Sequence, residues 1–131
     1  MNRSFLFLFT FSLLVVACSS SKTTVLKEVD TIETHYRIYK LNSWQLEEDT
    51  LRIDVNYGGG AIDPHEFELV RKRTDDASVA ELWLLHLTLH DPAEAWLNTK
   101  LSFDIRHLLR DKNIKKITLN EEEKPVKEVL E

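Results

Sequence analysis

Apolar and polar residues alternate in several short segments of the 131-residue chain. In residues 51–57 (LRIDVNY) the apolar side chains occupy the odd positions and the polar side chains the even positions. The same period of two recurs in residues 65–69, 101–105 and 117–119. Such alternation is typical of a strand that buries one face and exposes the other. Residues 35–41 alternate less regularly, but they are rich in side chains that favour strands.

The segment at residues 77–90 (ASVAELWLLHLTLH) is compatible with two structures. Its first part, SVAE, matches a helix capping box, and its leucine and alanine content favours a helix. Against this, Trp83, Leu85, Leu87 and Leu89 form an apolar face with a period of two, which favours a strand. The residues alone do not decide between the two.

Residues 91–97 (DPAEAWL) fit either a structured loop or a short helix, with Asp91 as the cap and Pro92 at the first helical position. Residues 106–112 predict a helical turn before the last strand. Short strands separated by turn signals are typical of antiparallel sandwiches and barrels. We therefore predict an all-β fold, an antiparallel β-sandwich-like domain with one or two short helical turns.

All three glycines of the chain lie side by side at residues 58–60, between two of these strand patterns. Glycine accepts the positive φ angles that a sharp corner requires, and Asp63-Pro64 adds ordinary turn chemistry. A phosphate-binding loop would open a helix, whereas a strand pattern follows here. We interpret the segment as a bulged hairpin or corner; the alternative is that its bare backbone lets a ligand or another strand approach. The candidate binding loop comprises Tyr57, Gly58, Gly59, Gly60, Asp63 and His65.

The chain begins with an apolar segment, in which Arg3 is followed by the uncharged residues 5–17. A membrane-spanning helix needs roughly 20 apolar residues, whereas the apolar core of a signal peptide has about 7–15. Residues 14–18 (LVVAC) then resemble the lipobox of bacterial lipoproteins, in which the cysteine thiol takes a diacylglycerol and the preceding signal is removed. The resemblance implies that Cys18 is the lipidated first residue of the mature chain. The alternative is an ordinary secretory signal with an incidental thiol.

This resemblance predicts three regions: a signal peptide at residues 1–17, lipidated Cys18 with a flexible tether through residue 28, and one β-sandwich-like domain at residues 29–131. Two or three acyl chains would anchor the protein durably in a membrane, because one chain alone holds only marginally. Ser19 stands where an aspartate would imply inner-membrane retention, so the resemblance implies the outer membrane, with the domain facing the periplasm or the surface. With Cys18 lipidated, no thiol remains for a disulfide in that oxidising compartment. We predict no cofactor beyond the covalent lipid.

The formal charge of the chain is −5 at pH 7. Nucleic-acid binding requires clustered lysines and arginines that face phosphates. The nearest basic cluster, residues 71–73 (RKR), is followed closely by Asp75 and Asp76 and reads as a solvated strand end. We therefore expect no nucleic-acid partner.

The order of short motifs between residues 44 and 119 resembles the NigD-like group of small bacterial lipoproteins. These motifs are Tyr57, Gly59 and Gly60, then His65, Phe67 and Leu69, then residues 87–90 (LTLH) and 102–105 (SFDI). The resemblance implies a compact β-sandwich-like domain and favours a strand over residues 79–90, but it brings no activity. Members of the group often carry cysteines where this chain has Ala61 and a position near Ala93, so a disulfide, redox or metal role of those positions does not carry over.

Histidines and carboxylates supply the candidate chemistry of the domain. If His86 and His90 lie on one strand, they are about 13 Å apart and cannot bind one zinc ion, whose bonds to nitrogen are about 2.0–2.1 Å. A metal site therefore needs a helix there, or a cross-strand pair such as His65 with His90. The simpler interpretation is a histidine at a strand end that forms a hydrogen bond with a backbone group of a turn. The chain contains no GxSxG motif, so a hydrolase would need a pocket that joins a histidine, a carboxylate and Ser78 or Ser102.

Three tryptophans and the charged C-terminus complete the candidate features. Trp83 fits the apolar face of its segment and is predicted in the core, whereas Trp44 and Trp96 flank loops and would offer a sugar-stacking surface if exposed. Residues 120–131 predict a solvated terminus, although residues 126–130 could add a strand to their own sheet or to that of a partner.

The predicted function is that of a lipid-anchored, non-catalytic binding or assembly module of the cell envelope. It would be held to the membrane through acylated Cys18 and present the edge around residues 58–65 to an envelope protein. The alternative prediction is a small-ligand or metal-binding domain centred on His65 and His90.

Overall fold

The computed structural model describes residues 25–126. Within this range the chain forms eight strands and one short α-helix, α1 (Arg106–Leu109), with a 3-10 turn at Thr34–Arg37. The strands are β1 (Lys27–Val29), β2 (Lys40–Glu47), β3 (Thr50–Gly59), β4 (Phe67–Lys72), β5 (Val79–His86), β6 (Ala95–Asp104), β7 (Lys116–Leu119) and β8 (Glu122–Pro125).

The strands form two sheets. One sheet has five strands in the order β1-β4-β5-β7-β8, and the other has three strands in the order β2-β3-β6. The predicted all-β, sandwich-like fold with one or two short helical turns is confirmed. The three-stranded sheet is antiparallel throughout, but the five-stranded sheet is mixed, because β1 runs parallel to β4 and β5 runs parallel to β7. Parallel neighbours require long connections, and here β2 and β3 lie between the first pair, while β6 and α1 lie between the second.

The core lies between the inner faces of the two sheets. Leu51, Ile53 and Val55 of β3 are fully buried at alternate positions and belong to one cluster with the inward residues of β5 and β7. Burial of each such side chain contributes about 1.5–3 kcal/mol. The alternation that predicted β3 therefore arises because one face of this strand is buried and the other is exposed.

The ambiguous segment at residues 77–90 is a strand, and it ends earlier than the apolar pattern suggests. Ser78 does not cap a helix, since its backbone N–H and its hydroxyl both donate to Asp76 Oδ1 (2.9 and 2.6 Å). The core-facing residues are Ala80, Leu82, Leu84 and His86. Trp83 is buried on the opposite face, where the guanidinium of Arg37 lies 4.6 Å from its ring centroid. The predicted burial of Trp83 is therefore confirmed, but on the face of β5 opposite to Leu82 and Leu84.

The strand predicted at residues 35–41 is wrong over its first half. Residues 34–37 form the 3-10 turn, in which the N–H of Tyr36 donates to the carbonyl of Glu33 (3.2 Å). This turn carries Arg37 over Trp83 and leads to Tyr39, whose hydroxyl donates to the carbonyl of Leu84 (2.6 Å). Tertiary contacts with β5 thus outweigh the local preference for a strand.

Both ends of the domain differ from the predicted boundaries. Lys27 and Glu28, which were assigned to the tether, pair with β4 as part of β1. Glu122–Pro125, which was assigned to a solvated terminus, pairs with β7 as β8. The signal peptide, Cys18 and the tether as far as residue 24 lie outside the described residues, as does the strand suggested for residues 126–130 apart from Val126.

Candidate functional site

The chain turns at the end of β3, and we call residues 58–62 the glycine corner. This corner forms an anion-binding cradle. The backbone N–H groups of Gly60, Ala61 and Ile62 all point at the carboxylate of Asp91, with N···O distances of 2.9, 3.0 and 2.9 Å. The N–H of Ala93 donates to the same carboxylate at 3.0 Å. Successive backbone N–H groups that converge in this way bind anions. The segment is thus both a corner and a cradle, and the anion it holds is a side chain of the protein itself.

Asp91 is the first member of a chain of hydrogen-bonded side chains. Its Oδ2 lies 2.7 Å from Nε2 of His65, and the two side chains are only 2% and 1% exposed. Nδ1 of His65 lies 2.8 Å from Nε2 of His86, and Nδ1 of His86 lies 3.0 Å from the carbonyl oxygen of Ile38. We call Asp91, His65 and His86 the histidine relay.

Counting protons fixes the charge of the histidine relay. Its three hydrogen bonds need three protons, whereas two neutral imidazoles supply only two. The carbonyl of Ile38 only accepts, so Nδ1 of His86 carries a proton. With Asp91 ionised, the additional proton belongs to the histidine pair, and the relay is a buried ion pair with one negative and one positive charge.

The environment favours the ionised form of Asp91. Burial alone would raise the pKa of Asp91, but the hydrogen bonds from His65 and from the N–H groups of Ile62, Ala93 and Ala61 outweigh it and hold the pKa well below its usual range. Burial lowers the pKa of His86, against the raising effect of its bond to the Ile38 carbonyl, and the proximity of His65 lowers it further. The Asp91 carboxylate lies against His65, 2.7 Å from its Nε2, and stabilises the positive charge that the hydrogen bonds place on the pair.

Aromatic rings enclose the two imidazoles. The ring of Tyr57 lies 4.6 Å from that of His65, centroid to centroid. The ring of Phe67 is stacked on that of His86 at 4.6 Å with an interplanar angle of 8°. Tyr57 and Phe67 also contact each other edge to face at 5.4 Å. These contacts fix the orientation of both imidazoles and cover the ring faces that Tyr57 and Phe67 touch.

The three glycines have different structural roles. A Cβ atom on Gly59, whose φ is +152°, would lie 2.7 Å from both Asp91 Oδ2 and His65 Cε1. Gly60 also has a positive φ of +125°, and its Cβ would lie 3.3 Å from that of Ala95. A Cβ on Gly58 would meet no atom within 4 Å. Only Gly59 and Gly60 are required by the corner.

A small cavity of about 100 Å³ adjoins the histidine relay. Its lining residues are Ile38, Gly58, His86, Thr88, Leu89 and Asp91. Pockets for small organic ligands are usually about 300–1,000 Å³. This cavity accommodates a few water molecules rather than a substrate, and the relay is best explained as a rigid structural joint.

The structure brings together a different set of residues from the predicted metal pair. His65 is paired with His86 and Asp91, whereas His90 is exposed on the loop after β5. The 2.8 Å between the two imidazole nitrogens is shorter than the separation of about 3.3 Å between two nitrogens on one tetrahedral zinc ion. Among residues 25–126, no three His, Cys, Asp or Glu side chains have a metal-binding arrangement.

Ser78 and Ser102, one of which a hydrolase would need beside a histidine and a carboxylate, lie away from the relay. Ser78 is hydrogen-bonded to Asp76 at the start of β5, and Ser102 is exposed on β6 opposite Arg52. Of the remaining candidate-loop residues, Tyr57 is buried beside His65, and Asp63 is exposed and joined to Pro64 by a cis peptide bond.

Asp91 and His86 are the site residues that sequence reasoning did not place. Asp91 was interpreted as a possible helix cap, and His86 was considered only with His90. The available signal was the Asp-Pro pair after a strand, since such an aspartate commonly accepts backbone N–H groups. Here those groups include three from residues about 30 positions earlier in the chain, which no local pattern reveals.

The charge of the relay predicts a loss of stability in mild acid. The native relay holds one proton on the histidine pair, and a second proton on His86 would place two N–H groups against each other. The unfolded chain accepts that proton near pH 6.5, so the lowered pKa of His86 makes stability fall as the pH drops below about 6.5. We expect a lower urea midpoint at pH 5 than at pH 6.5.

Two variants separate this effect from general acid sensitivity. His86→Gln should reduce the difference between the two pH values, because the titrating group is gone. His90→Gln should retain the full difference, because His90 is exposed. An equal pH dependence in His86→Gln and the parent protein would contradict the assignment.

Comparisons with known proteins support the fold. The chain resembles the crystal structure of a protein of unknown function, DUF1344, from Bacteroides vulgatus ATCC 8482, with a TM-score of 0.53 and 15% sequence identity. The similarity covers 77% of this chain and 56% of the other, so the present chain matches little more than half the length of that protein. At this identity the likeness concerns the fold alone. No family model and no curated protein matches the sequence.

Proposed function

We propose that the protein is a lipid-anchored, non-catalytic binding module of the bacterial cell envelope, and that it engages an envelope protein through the end of the sandwich at the glycine corner. The observation that carries this proposal is that three loop segments joined at the histidine relay each expose an apolar side chain at that end. Ile38 is 67% exposed, Ile62 42% and Leu89 37%. We call these three residues the apolar rim. Exposed apolar side chains that gather in one place are typical of interaction surfaces.

The apolar rim is held rigidly by the histidine relay. The carbonyl of Ile38 accepts the hydrogen bond from His86, and the N–H of Ile62 donates to Asp91. Leu89 lies two residues before Asp91 and lines the same small cavity as Ile38. A rim fixed in this way loses little conformational entropy when a partner binds. The relay therefore serves binding indirectly, by keeping three loops in one arrangement.

The lipobox resemblance supports the anchor. Acylation of Cys18 would restrict the domain to the surface of a membrane, which raises its effective concentration toward other envelope proteins. Among residues 25–126, no helix is long and apolar enough to cross a bilayer. The non-catalytic part of the proposal is supported by the relay itself, since all four of its imidazole nitrogens already have partners.

Membrane attachment and partner contact can be tested in the same cells. The parent protein should sediment with membranes and dissolve only with detergent, whereas Cys18→Ala should release it into the soluble envelope fraction. A photo-crosslinking amino acid at Ile62 should yield a discrete adduct with another envelope protein. The matched control position is Arg110, which is exposed after α1 at the opposite end of the sandwich.

The two measurements contradict different parts of the proposal. Membrane retention of Cys18→Ala would exclude the lipid anchor. Equal adducts from positions 62 and 110, or none from position 62, would exclude the apolar rim as the contact surface.

A further inference from the structure

The outer face of the three-stranded sheet carries a second exposed surface, which adjoins the apolar rim at Gly58. Side chains at alternate positions of β3 point outward, and β6 contributes their cross-strand neighbours. The outward pairs are Gly58 with Trp96, Asn56 with Asn98, Asp54 with Lys100 and Arg52 with Ser102. An aromatic residue and a row of polar side chains therefore lie side by side on one face of the sheet.

Trp96 is the one large aromatic residue among the polar outward pairs of β3 and β6, and it is 64% exposed. Its cross-strand neighbour is Gly58, and a Cβ atom there would meet nothing within 4 Å. The space beside the indole is consequently open, and the ring is accessible to a flat partner. A Cβ atom at Gly58 would not disturb the corner, so the residue leaves space open both beside Trp96 and at the small cavity next to the relay.

The neighbouring row is organised by its own hydrogen bonds. Nδ2 of Asn98 donates to Oδ1 of Asp54 (2.6 Å) and Oδ1 of Asn56 (2.7 Å). Nδ2 of Asn42, on β2, donates to the same two oxygens at 3.0 Å each. These bonds fix the three amides but leave Nδ2 of Asn56 and the Oδ1 atoms of Asn42 and Asn98 free of hydrogen bonds within the described chain. The row thus offers both donors and acceptors to solvent in fixed positions.

A shallow depression continues this surface along the sheet. It encloses about 330 Å³, within the usual range for ligand sites. Its polar lining includes Ser43, Gln45, Arg52, Asp54, Lys100 and Ser102. The outward charges of the sheet balance, with three basic residues (Lys40, Arg52 and Lys100) and three acidic residues (Glu47, Asp54 and Asp104). Neither a polyanion nor a polycation is therefore favoured.

We propose that this outer face binds a neutral glycan chain, with Trp96 against the C–H face of one sugar ring and the asparagine row bonded to the hydroxyl groups of the next. A pyranose ring has an apolar face that packs on an indole. Its hydroxyl groups act as both donors and acceptors, which matches the amide groups of Asn42, Asn56 and Asn98. The depression beside Asp54 would receive the following sugar unit. The ligand class goes beyond the proposed function and uses a different surface from the apolar rim.

The test is calorimetric titration of the full-length protein in a detergent without a sugar head group. The probes are cellohexaose, xylohexaose and mannohexaose, with hexagalacturonic acid as the charged comparison. At least one neutral hexasaccharide should bind saturably and more tightly than the acidic one. Trp96→Leu should weaken that binding at least about tenfold, whereas Trp96→Phe, which retains an aromatic plane, should weaken it less than about threefold.

Gly58→Leu is the second variant, because a Cβ atom there meets no atom within 4 Å and a leucine side chain would extend into the space beside Trp96. It too should weaken binding at least about tenfold, at an unchanged melting temperature. The proposal is overturned if no neutral hexasaccharide binds, if the acidic one binds more tightly, or if Trp96→Leu binds as well as the parent protein. Membrane retention through Cys18 and crosslinking at Ile62 do not involve Trp96, so failure here leaves the proposed function intact.

Discussion

Replacing Gly59 with alanine is expected to lower the free energy of unfolding by about 3 kcal/mol or more, although it adds a single methyl group. The new Cβ would lie 2.7 Å from Asp91 Oδ2 and 2.7 Å from His65 Cε1. The φ of +152° is itself unfavourable for alanine. Because aromatic rings pack around the imidazole, the methyl group must separate His65 from Asp91, and breaking a buried ion pair costs about 3–5 kcal/mol.

Gly58→Ala is the matched control for this substitution. Its Cβ would meet no atom within 4 Å, so the change in stability should stay within about 0.5 kcal/mol. Urea unfolding of both variants at pH 7.5 measures the difference. For a domain of about 100 residues, 3 kcal/mol corresponds to a decrease in melting temperature of roughly 12 °C or more. Equal stabilities of the two variants would show that the corner does not depend on the close approach at Gly59.

The sheet framework could be predicted wherever a strand has one buried and one exposed face. Residues 51–57 alternate because only alternate side chains reach the core. Burial of this kind can be recognised from the order of apolar and polar residues. β5 is different, because Trp83 is buried on its outer face as well. A strand covered on both sides loses its polar positions, so its periodicity resembles that of a buried helix.

The location of the corner was predictable, but the set of residues in the histidine relay was not. Three adjacent glycines and His65 correctly marked a corner where backbone and side chains come close. The residue that occupies the cradle, Asp91, arrives from a loop about 30 positions later. Whether His86 or His90 meets His65 depends on where β5 ends, and strand ends are poorly determined by propensity alone. Contacts of this range are set by the pairing of sheets.

The histidine relay links segments from both sheets. His65 precedes β4 and His86 ends β5, both in the five-stranded sheet, while Ile38 precedes β2 and Asp91 precedes β6, both in the three-stranded sheet. Apolar packing between sheets tolerates small shifts, whereas a chain of hydrogen bonds at 2.7–3.0 Å does not. We therefore expect the relay to determine the relative position of the sheets at this end. That position in turn determines the arrangement of the apolar rim.

Substitution of His65 by phenylalanine is expected to lower the free energy of unfolding by about 3 kcal/mol, although the aromatic ring is retained. The variant removes the positive charge opposite Asp91 and leaves Nε2 of His86 without its partner. Removal of one member of a buried charged pair lowers the free energy of unfolding by more than the loss of its packing alone, because the other charge stays buried without a partner. His90→Ala should change stability by less than about 0.5 kcal/mol, since His90 is exposed.

A double-mutant cycle with Asp91→Asn distinguishes an ion pair from independent packing effects. If His65 and Asp91 act as one charged unit, the double variant should be clearly less destabilised than the sum of the two single variants. Nitrogen-15 spectra of the parent protein at pH 7 should also show three N–H groups on the two imidazoles together, one of them on Nδ1 of His86. Additive losses, or two neutral imidazoles in the spectra, would contradict the charge assigned to the relay and leave the rim without the support on which its rigidity depends.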